Sequence, residues 1–496
     1  MNKLIIIILI VLWSICSFSQ TNKIDKINTL TNAINKLKND KSLKNAGISF
    51  TAIDVNSGEI IGSLNPDLAL SPASTQKVIT TATAIEVFGP KYKFLTTLEY
   101  TGTIDKQKKV LNGSIIIKGG GDPTLGSRYF NKTEQQTFIK TWINEIKNAG
   151  IDSISGGVVG DARWLSYDIV PPTWAWEDMG NYFGAGACGL SIYDNSYNLY
   201  FSTGNKVGDL TKITRVSPEG MYITFDNQIT SDNINSDNSY IFGAPYNDFR
   251  YLRGELPLAK IEYEVTGSMP DPAYFAAMDF EKALQINGIK VNEKATTYRN
   301  SPTFEKSDSL QHTILYRSLS PSLLEIISVT NFRSNNMFAE HCVNHIGLEL
   351  GKKGDTKTGA NEVEKFWKAK GMDIEGMSLN DGSGLSRYNT ITTKQMTFLL
   401  KYMKKESKYA EDFYSSLPIV GESGTVKSLC KGTFAEGNMH AKSGSIRAVR
   451  AYAGYVTTKS GREVAFSVIL NNYNCTANQS MQKLEALLTV LAEYNE

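Results

Sequence analysis

The chain has 496 residues, 52 basic against 50 acidic side chains for a net charge of +2, and a hydrophobic share of 41%. That length suits two or three globular domains. Near-neutral charge argues against a nucleic-acid partner or a polybasic grip on a membrane, and five cysteines in so long a chain do not make a disulfide scaffold.

The first predicted element is a leader. Lys3 precedes an aliphatic run from Leu4 to Trp13 and then Ser17-Phe18-Ser19-Gln20. This is the layout of a secretory signal over residues 1–19, cut after Ser19, with an apolar run too short for a membrane span. Cys16 raises lipid attachment as an alternative, against which the bulky Ile15 stands. No later segment is apolar enough to cross a bilayer, so a soluble, exported protein is expected, with the periplasm as its compartment. Cys188, Cys342, Cys430 and Cys475 then remain, and the sequence leaves open whether they pair or stay buried thiols.

Residues 48–62 alternate apolar and polar around Asn56-Ser57-Gly58, which predicts a strand, a tight turn and a second strand. Ser71-Pro72-Ala73 reads as a turn opening a helix whose buried face carries Val78, Ala82 and Ile85. From about residue 94 the texture changes to short strands, glycines and turn clusters such as Gly119-Gly120-Gly121-Asp122-Pro123, and the polar tract 231–238 reads as a surface loop. Helical periodicity is expected again from about residue 312. Near the end, Val449–Tyr455 and Glu463–Leu470 predict two paired strands joined at 459–462, and Leu484, Leu487, Leu488 and Leu491 mark an amphipathic helix. Strands and helices from both ends imply an α/β core interrupted by a mostly β insertion. No repeat of solenoid period is present.

The chemistry begins at Ser74-Thr75-Gln76-Lys77. Positions i and i+3 share a helix face, so the lysine amine can reach the serine hydroxyl. A free serine is a poor nucleophile and needs a base; a desolvated lysine beside other cations loses its proton near neutral pH and can serve. Short motifs recur by chance, and several must be set aside. Ser428/Lys431 lies in a loop and Ser480/Lys483 on the last helix. Ser231 and Ser236 each open a Ser-Asp-Asn in the polar tract. Lys357-Thr358-Gly359 leads into a helix, and Lys459-Ser460-Gly461 fits a hairpin turn. Ser334-Asn335-Asn336 directly precedes an amphipathic run, and Lys442-Ser443-Gly444-Ser445 leads into a strand-like run from Ile446 to Tyr455. The chosen set is Ser74/Lys77, Ser334/Asn336 and Lys442/Ser443/Gly444.

With these motifs stand Gly119 to Leu125, Trp174-Ala175-Trp176-Glu177-Asp178, Asp381-Gly382-Ser383-Gly384-Leu385-Ser386-Arg387 and Gly421-Glu422-Ser423-Gly424-Thr425. In this order they resemble the low-molecular-mass class C penicillin-binding proteins, the D-alanyl-D-alanine carboxypeptidase/endopeptidase family, over nearly the whole mature chain. Ser-Asn-Asn and the Ser443 in place of threonine depart from the usual pattern but keep the hydroxyl and amide. The resemblance implies a penicillin-recognising α/β domain, a central antiparallel sheet flanked by helices, formed by residues 20–93 and 312–496. It implies two domains inserted after the nucleophile helix, over 94–311, divided into about 94–192 plus 270–311 and about 193–269.

It also implies peptidoglycan stem peptides as substrates and β-lactam antibiotics as inhibitors, with Ser74 as nucleophile and Lys77 as base. Ser334 and a cationic Lys442 would relay the proton. Asn336 would hold the acyl-side amide, Ser443 with Gly444 the terminal carboxylate, and the N–H groups of Ser74 and Ser445 the oxyanion. Asp178, with Phe183 beside it, would meet the free amine of a diaminopimelate side chain, and Arg387 and Arg447 would add positive charge. Asp178 could equally be a surface carboxylate. His341 and His345 are spaced as zinc ligands, but Cys342 stands between them without a third ligand, so packing is expected and neither metal nor cofactor. Trp174 and Trp176 could line a glycan groove or pack in the core. Arg447 and Arg450 read as alternating strand positions. A β-lactamase, which would need a deacylating base, and a catalytically silent wall-binding protein are the competing functions.

Overall fold

A computed structural model describes residues 29–131, 135–301 and 311–495; the leader expected at 1–19, with Cys16, lies outside them. The strand β1 (Gly47–Asp54) turns into β2 (Ile60–Leu64). The turn forms because the Asp54 carboxylate accepts the N–H groups of Asn56 and Ser57 and Gly58 takes φ +78. After a 3₁₀ turn at Ala73–Thr75 comes helix α1 (Gln76–Phe88).

Past the insertion the core resumes with α2 (Leu323–Arg333), started by a Ser322/Glu325 capping box, and α3 (Asn336–Gly351). Then follow α4 (Thr356–Ala369) and α5 (Thr393–Lys405). The strands β3 (Met439–Ile446), β4 (Val449–Thr457) and β5 (Glu463–Asn471) precede α6 (Ala477–Ala492).

These strands form a five-stranded sheet in the order β2-β1-β5-β4-β3, antiparallel throughout. Both faces are covered, so the inner strands read as apolar runs rather than alternating ones. Ile53, Ala465 and Ile469 pack into the cluster under α1 to α5. Phe50, Val464, Phe466 and Val468 point to the other face, against the leading helical segment 29–38 and the leucines of α6.

The insertion hangs from two adjacent strands. Leu95–Thr101 pairs antiparallel with His312–Leu319, and at their base Phe94 and Ser320 exchange hydrogen bonds of 2.9 Å (Phe94 N–H to the Ser320 hydroxyl) and 3.0 Å (Ser320 N–H to the Phe94 carbonyl). This corrects the helical reading from residue 312: 312–319 is an edge strand of an inserted sheet, and the core resumes after about Ser320. Local periodicity missed it because pairing with a strand more than 200 residues away supplies its order. The larger inserted unit has a core drawn from 98–192 and 269–295, with helices Gln135–Asn148 and Pro272–Ile286 on its sheets. The smaller has its own core around Tyr197, Leu199, Ile241 and Leu252. Within it Thr230–Asp232 is a strand and Ser231 is buried, where the polar tract had suggested loop.

Candidate active site

The 3₁₀ turn at Ala73–Thr75 places Ser74 at the head of α1, with Ala73 in the left-handed region at φ +45. Two glycines press on this turn. A Cβ on Gly384 would lie 1.9 Å from the Ala73 carbonyl oxygen, and one on Gly444 would lie 3.0 Å from the Ser74 nitrogen. Any larger residue at either position would push the serine away.

Lys77, one turn along, is wholly buried. Its Nζ lies 3.0 Å from Ser74 Oγ, 2.6 Å from Asn336 Oδ1 and 2.6 Å from the Ser383 carbonyl oxygen. The last two atoms only accept. A neutral lysine has two protons for them, and its lone pair is then left facing the Ser74 hydroxyl. Burial pushes the amine down to about 7, against the opposing pull of Asp381 and Glu340.

The Asn336 amide cannot turn over, because its Nδ2 donates to the Phe183 carbonyl at 2.7 Å. The middle motif is rigid because it is a junction of helices. Ser334 ends α2 in the left-handed conformation at φ 55, Asn335 caps α3 by accepting from Phe338 N–H, and Asn336 is the first residue of α3. Lys442 of edge strand β3 donates to Ser334 Oγ at 2.9 Å and to the Ser443 carbonyl at 2.6 Å. Burial first, and the Lys77 charge second, hold Lys442 well below the usual lysine range. Two amines buried in one site disfavour a shared pair of positive charges, so a proton on one lowers the other's hold on its own.

Sequence reading missed several groups. Asp381 accepts from Trp174 Nε1 at 2.9 Å, Gly384 N–H at 2.8 Å and Asn389 Nδ2 at 2.8 Å, and Gln76 of α1 also donates to it. It shapes the 381–387 loop that presents the Ser383 carbonyl to Lys77. Glu340, one turn past Asn336, accepts from the Gly382 and Ser383 N–H groups, and burial raises its pKa to about 8. Thr425 accepts from Ser443 Oγ at 2.7 Å, so two hydroxyls stand where one was expected. The 381–387 and 421–425 segments were visible as motifs; nothing local said what they touch.

Asp178 is buried in a short helix, Trp176–Met179. Burial raises its pKa to about 6, with Arg387 opposing and Glu177 reinforcing. Arg387 forms its ion pair with Glu177, at 2.8 Å, rather than with Asp178. Arg447 is not in a strand: β3 ends at Ile446, and Arg447-Ala448, with Ala448 at φ 58, make the tight turn into β4. The Lys442 motif therefore lies within an edge strand, with Ser445 exposed on it. Arg450 reaches Ser480 on α6.

The histidines anchor the insertion. His341 meets the Met337 and Cys188 carbonyls and Ser191 Oγ, and His345 meets the Gly121 carbonyl. Cys188, Cys342, Cys430 and Cys475 are free thiols. The two tryptophans differ: Trp174 is 3% exposed and bonded to Asp381, whereas Trp176 is 50% exposed.

A serine at a helix head, a buried lysine a turn away, and an edge strand closing a five-stranded antiparallel sheet over both define the penicillin-recognising serine acyl-transfer class. Comparison with known proteins narrows it. The sequence model of the D-Ala-D-Ala carboxypeptidase 3 (S13) family matches residues 30–493, and the chain belongs to that family. A D-alanyl-D-alanine carboxypeptidase of Actinomadura sp. (strain R39) is 28% identical over 95% of this chain and 85% of its own length. D-alanyl-D-alanine carboxypeptidase DacB of Haemophilus influenzae is 25% identical over 89% of each chain. The crystal structure of penicillin binding protein 4 from Haemophilus influenzae shares the fold, with a TM-score of 0.78 at 24% identity over 93% of this chain and 99% of that one.

Proposed function

We propose that this protein is a serine D-Ala-D-Ala carboxypeptidase and endopeptidase of peptidoglycan stem peptides and their cross-links, acylated by β-lactams and acting outside the cytoplasm, in the periplasm. The observation that carries the reading is the Lys77 Nζ to Ser74 Oγ distance of 3.0 Å, with both other partners of that amine able only to accept. Ser74 Oγ attacks the D-Ala carbonyl carbon while its proton passes to the lone pair of Lys77. The N–H groups of Ser74 and Ser445 receive the developing oxyanion; one such donor contributes about 3–4 kcal/mol. The C–N bond breaks as Ser334, linked to Lys442, passes a proton to the departing amine. Ser443 and Thr425 hold the terminal carboxylate beside Gly444, and its charge favours a proton on Lys442. The second N–H of Asn336 is available to the acyl-side amide. Water then cleaves the ester.

The insertion, placed over 94–311 by sequence and closing at about Ser320, supplies the far wall through Asp178 and Phe183. Asp178 receives the free amine of the substrate side chain, and Arg387 and Arg447 bear on its carboxylate. The β-lactamase alternative requires an ionised base for deacylation. Glu340 does not suit that task, since its carboxyl is tied to the backbone N–H groups of Gly382 and Ser383 and burial raises its pKa to about 8.

The test is covalent labelling by a fluorescent penicillin, followed by mass analysis of purified muropeptides after digestion. Wild type is expected to label and to remove one alanine or split dimers, and Ser74→Ala to do neither. A folded wild-type protein that takes no label would end this reading.

A further inference from the structure

In the smaller inserted unit, strand Tyr240–Phe242 pairs antiparallel with Phe249–Arg253, Tyr240 opposite Arg253 and Phe242 opposite Tyr251. Side chains alternate between the two faces of a strand. Ile241, Arg250 and Leu252 point inward and are buried. The outer face therefore carries Tyr240, Phe242, Phe249 and Tyr251, where a solvated antiparallel sheet is ordinarily polar. These rings touch one another: centroids are 6.2 Å apart for Tyr240 and Phe242, and 4.9 Å for Phe249 and Tyr251. The patch continues past the sheet edge, because the half-exposed Trp176 meets Phe242 at 6.2 Å. Trp176 adjoins Glu177, which pairs with Arg387 at the cleft, and Phe183 in the next turn bonds Asn336. An aromatic surface thus leads from the rim of the catalytic cleft across a second domain.

Exposed apolar patches of this kind mark binding surfaces. The chemistry of the face selects the occupant. Arg253 on it is paired with Asp226 at 2.7 Å, so the face offers little net charge to a charged peptide. Flat ring faces with negative π-clouds suit the slightly positive C–H faces of neutral pyranose sugars. Position agrees: a stem peptide with its last D-Ala at Ser74 runs back past Asp178, and its amino end is joined to a glycan. Resting on the reading of the cleft above, we propose that the Trp176–Phe242–Tyr251 face binds the glycan strand of the peptidoglycan whose stem peptide occupies the active site.

The experiment compares full-length wild type with the double variant Tyr240→Ser/Tyr251→Ser. One readout is affinity for glycan strands stripped of peptide by an amidase. The others are penicillin labelling and hydrolysis of a sugar-free pentapeptide. Glycan affinity is expected to fall at least about tenfold, as loss of two aromatic contacts implies, with labelling and pentapeptide hydrolysis unchanged, which also shows the variant folded. Wild type that does not bind stripped glycan overturns the proposal, as does a variant that binds it equally well. So does a wild-type dimer that the variant abolishes without change in glycan binding, since the face would then be a self-interface. Failure of penicillin labelling in wild type would strike the cleft reading alone.

Discussion

In the proposed mechanism Lys77 sets the pH response of the site, because its proton decides whether Ser74 has a base. With its pKa lowered by burial to about 7, the neutral form dominates above that pH and falls about tenfold per unit below it. The rate of acylation by penicillin should therefore rise from pH 5 to 7 and level off. A flat rate over that range would show that another group takes the proton. Asp178, raised to about 6 by burial, ionises just above that value and can then attract an amine. In Asp178→Ala the ratio of kcat/KM for peptides with a free diaminopimelate amine to that for peptides acetylated there should fall about tenfold, with penicillin labelling retained. An unchanged ratio would make Asp178 a mere wall carboxylate. These two residues stood out in the sequence, but Glu340 did not, and Asp381 showed only as the head of a motif without a role, because a carboxylate that works by accepting backbone N–H groups leaves no spacing to recognise.

At the scale of elements, the site is made of ends: the head of α1, the α2–α3 junction, the 381–387 loop and edge strand β3. Each end is fixed by something that crosses the core. Gly384 has φ +81, and its missing Cβ leaves room for the Ala73 carbonyl. Gly384→Ala should keep the overall fold by circular dichroism yet slow penicillin acylation about a hundredfold, the usual result of a displacement near 1 Å. Wild-type acylation in that variant would mean the Ser74 turn holds itself. The hairpin at Arg447-Ala448 was illegible for a related reason. One strand-like run, Ile446 to Tyr455, spans two strands, and the break falls on Arg447-Ala448, residues that carry no turn signal of glycine or proline.

For the whole molecule, core and insertion depend on each other through buried polar contacts. His341 and His345 sit on a core helix and bond to insertion carbonyls, and burial holds them down to about 4 and about 3. The folded state keeps them neutral while the unfolded chain protonates near 6.5, so their contribution is complete above that pH. It is lost as pH falls toward the folded values, at about 1.4 kcal/mol per unit for each histidine at most. Thermal stability should drop between pH 6.5 and 4.5 more steeply in wild type than in His341→Gln. Parallel slopes in a folded variant would show that carboxylates dominate the acid response.

The sequence alone determined the ordered motifs, the two-part core around an insertion and the pairing of Ser74 with Lys77 one turn along a helix, since these follow from residue type, spacing and local periodicity. Only the tertiary structure decided that both amines are buried and pulled down together, that Glu177 rather than Asp178 meets Arg387, and that 312–319 belongs to an inserted sheet. It also separated the buried Trp174 from the exposed Trp176. Burial, long-range pairing and desolvation are properties of surroundings assembled from distant stretches of chain, and a linear pattern does not contain them.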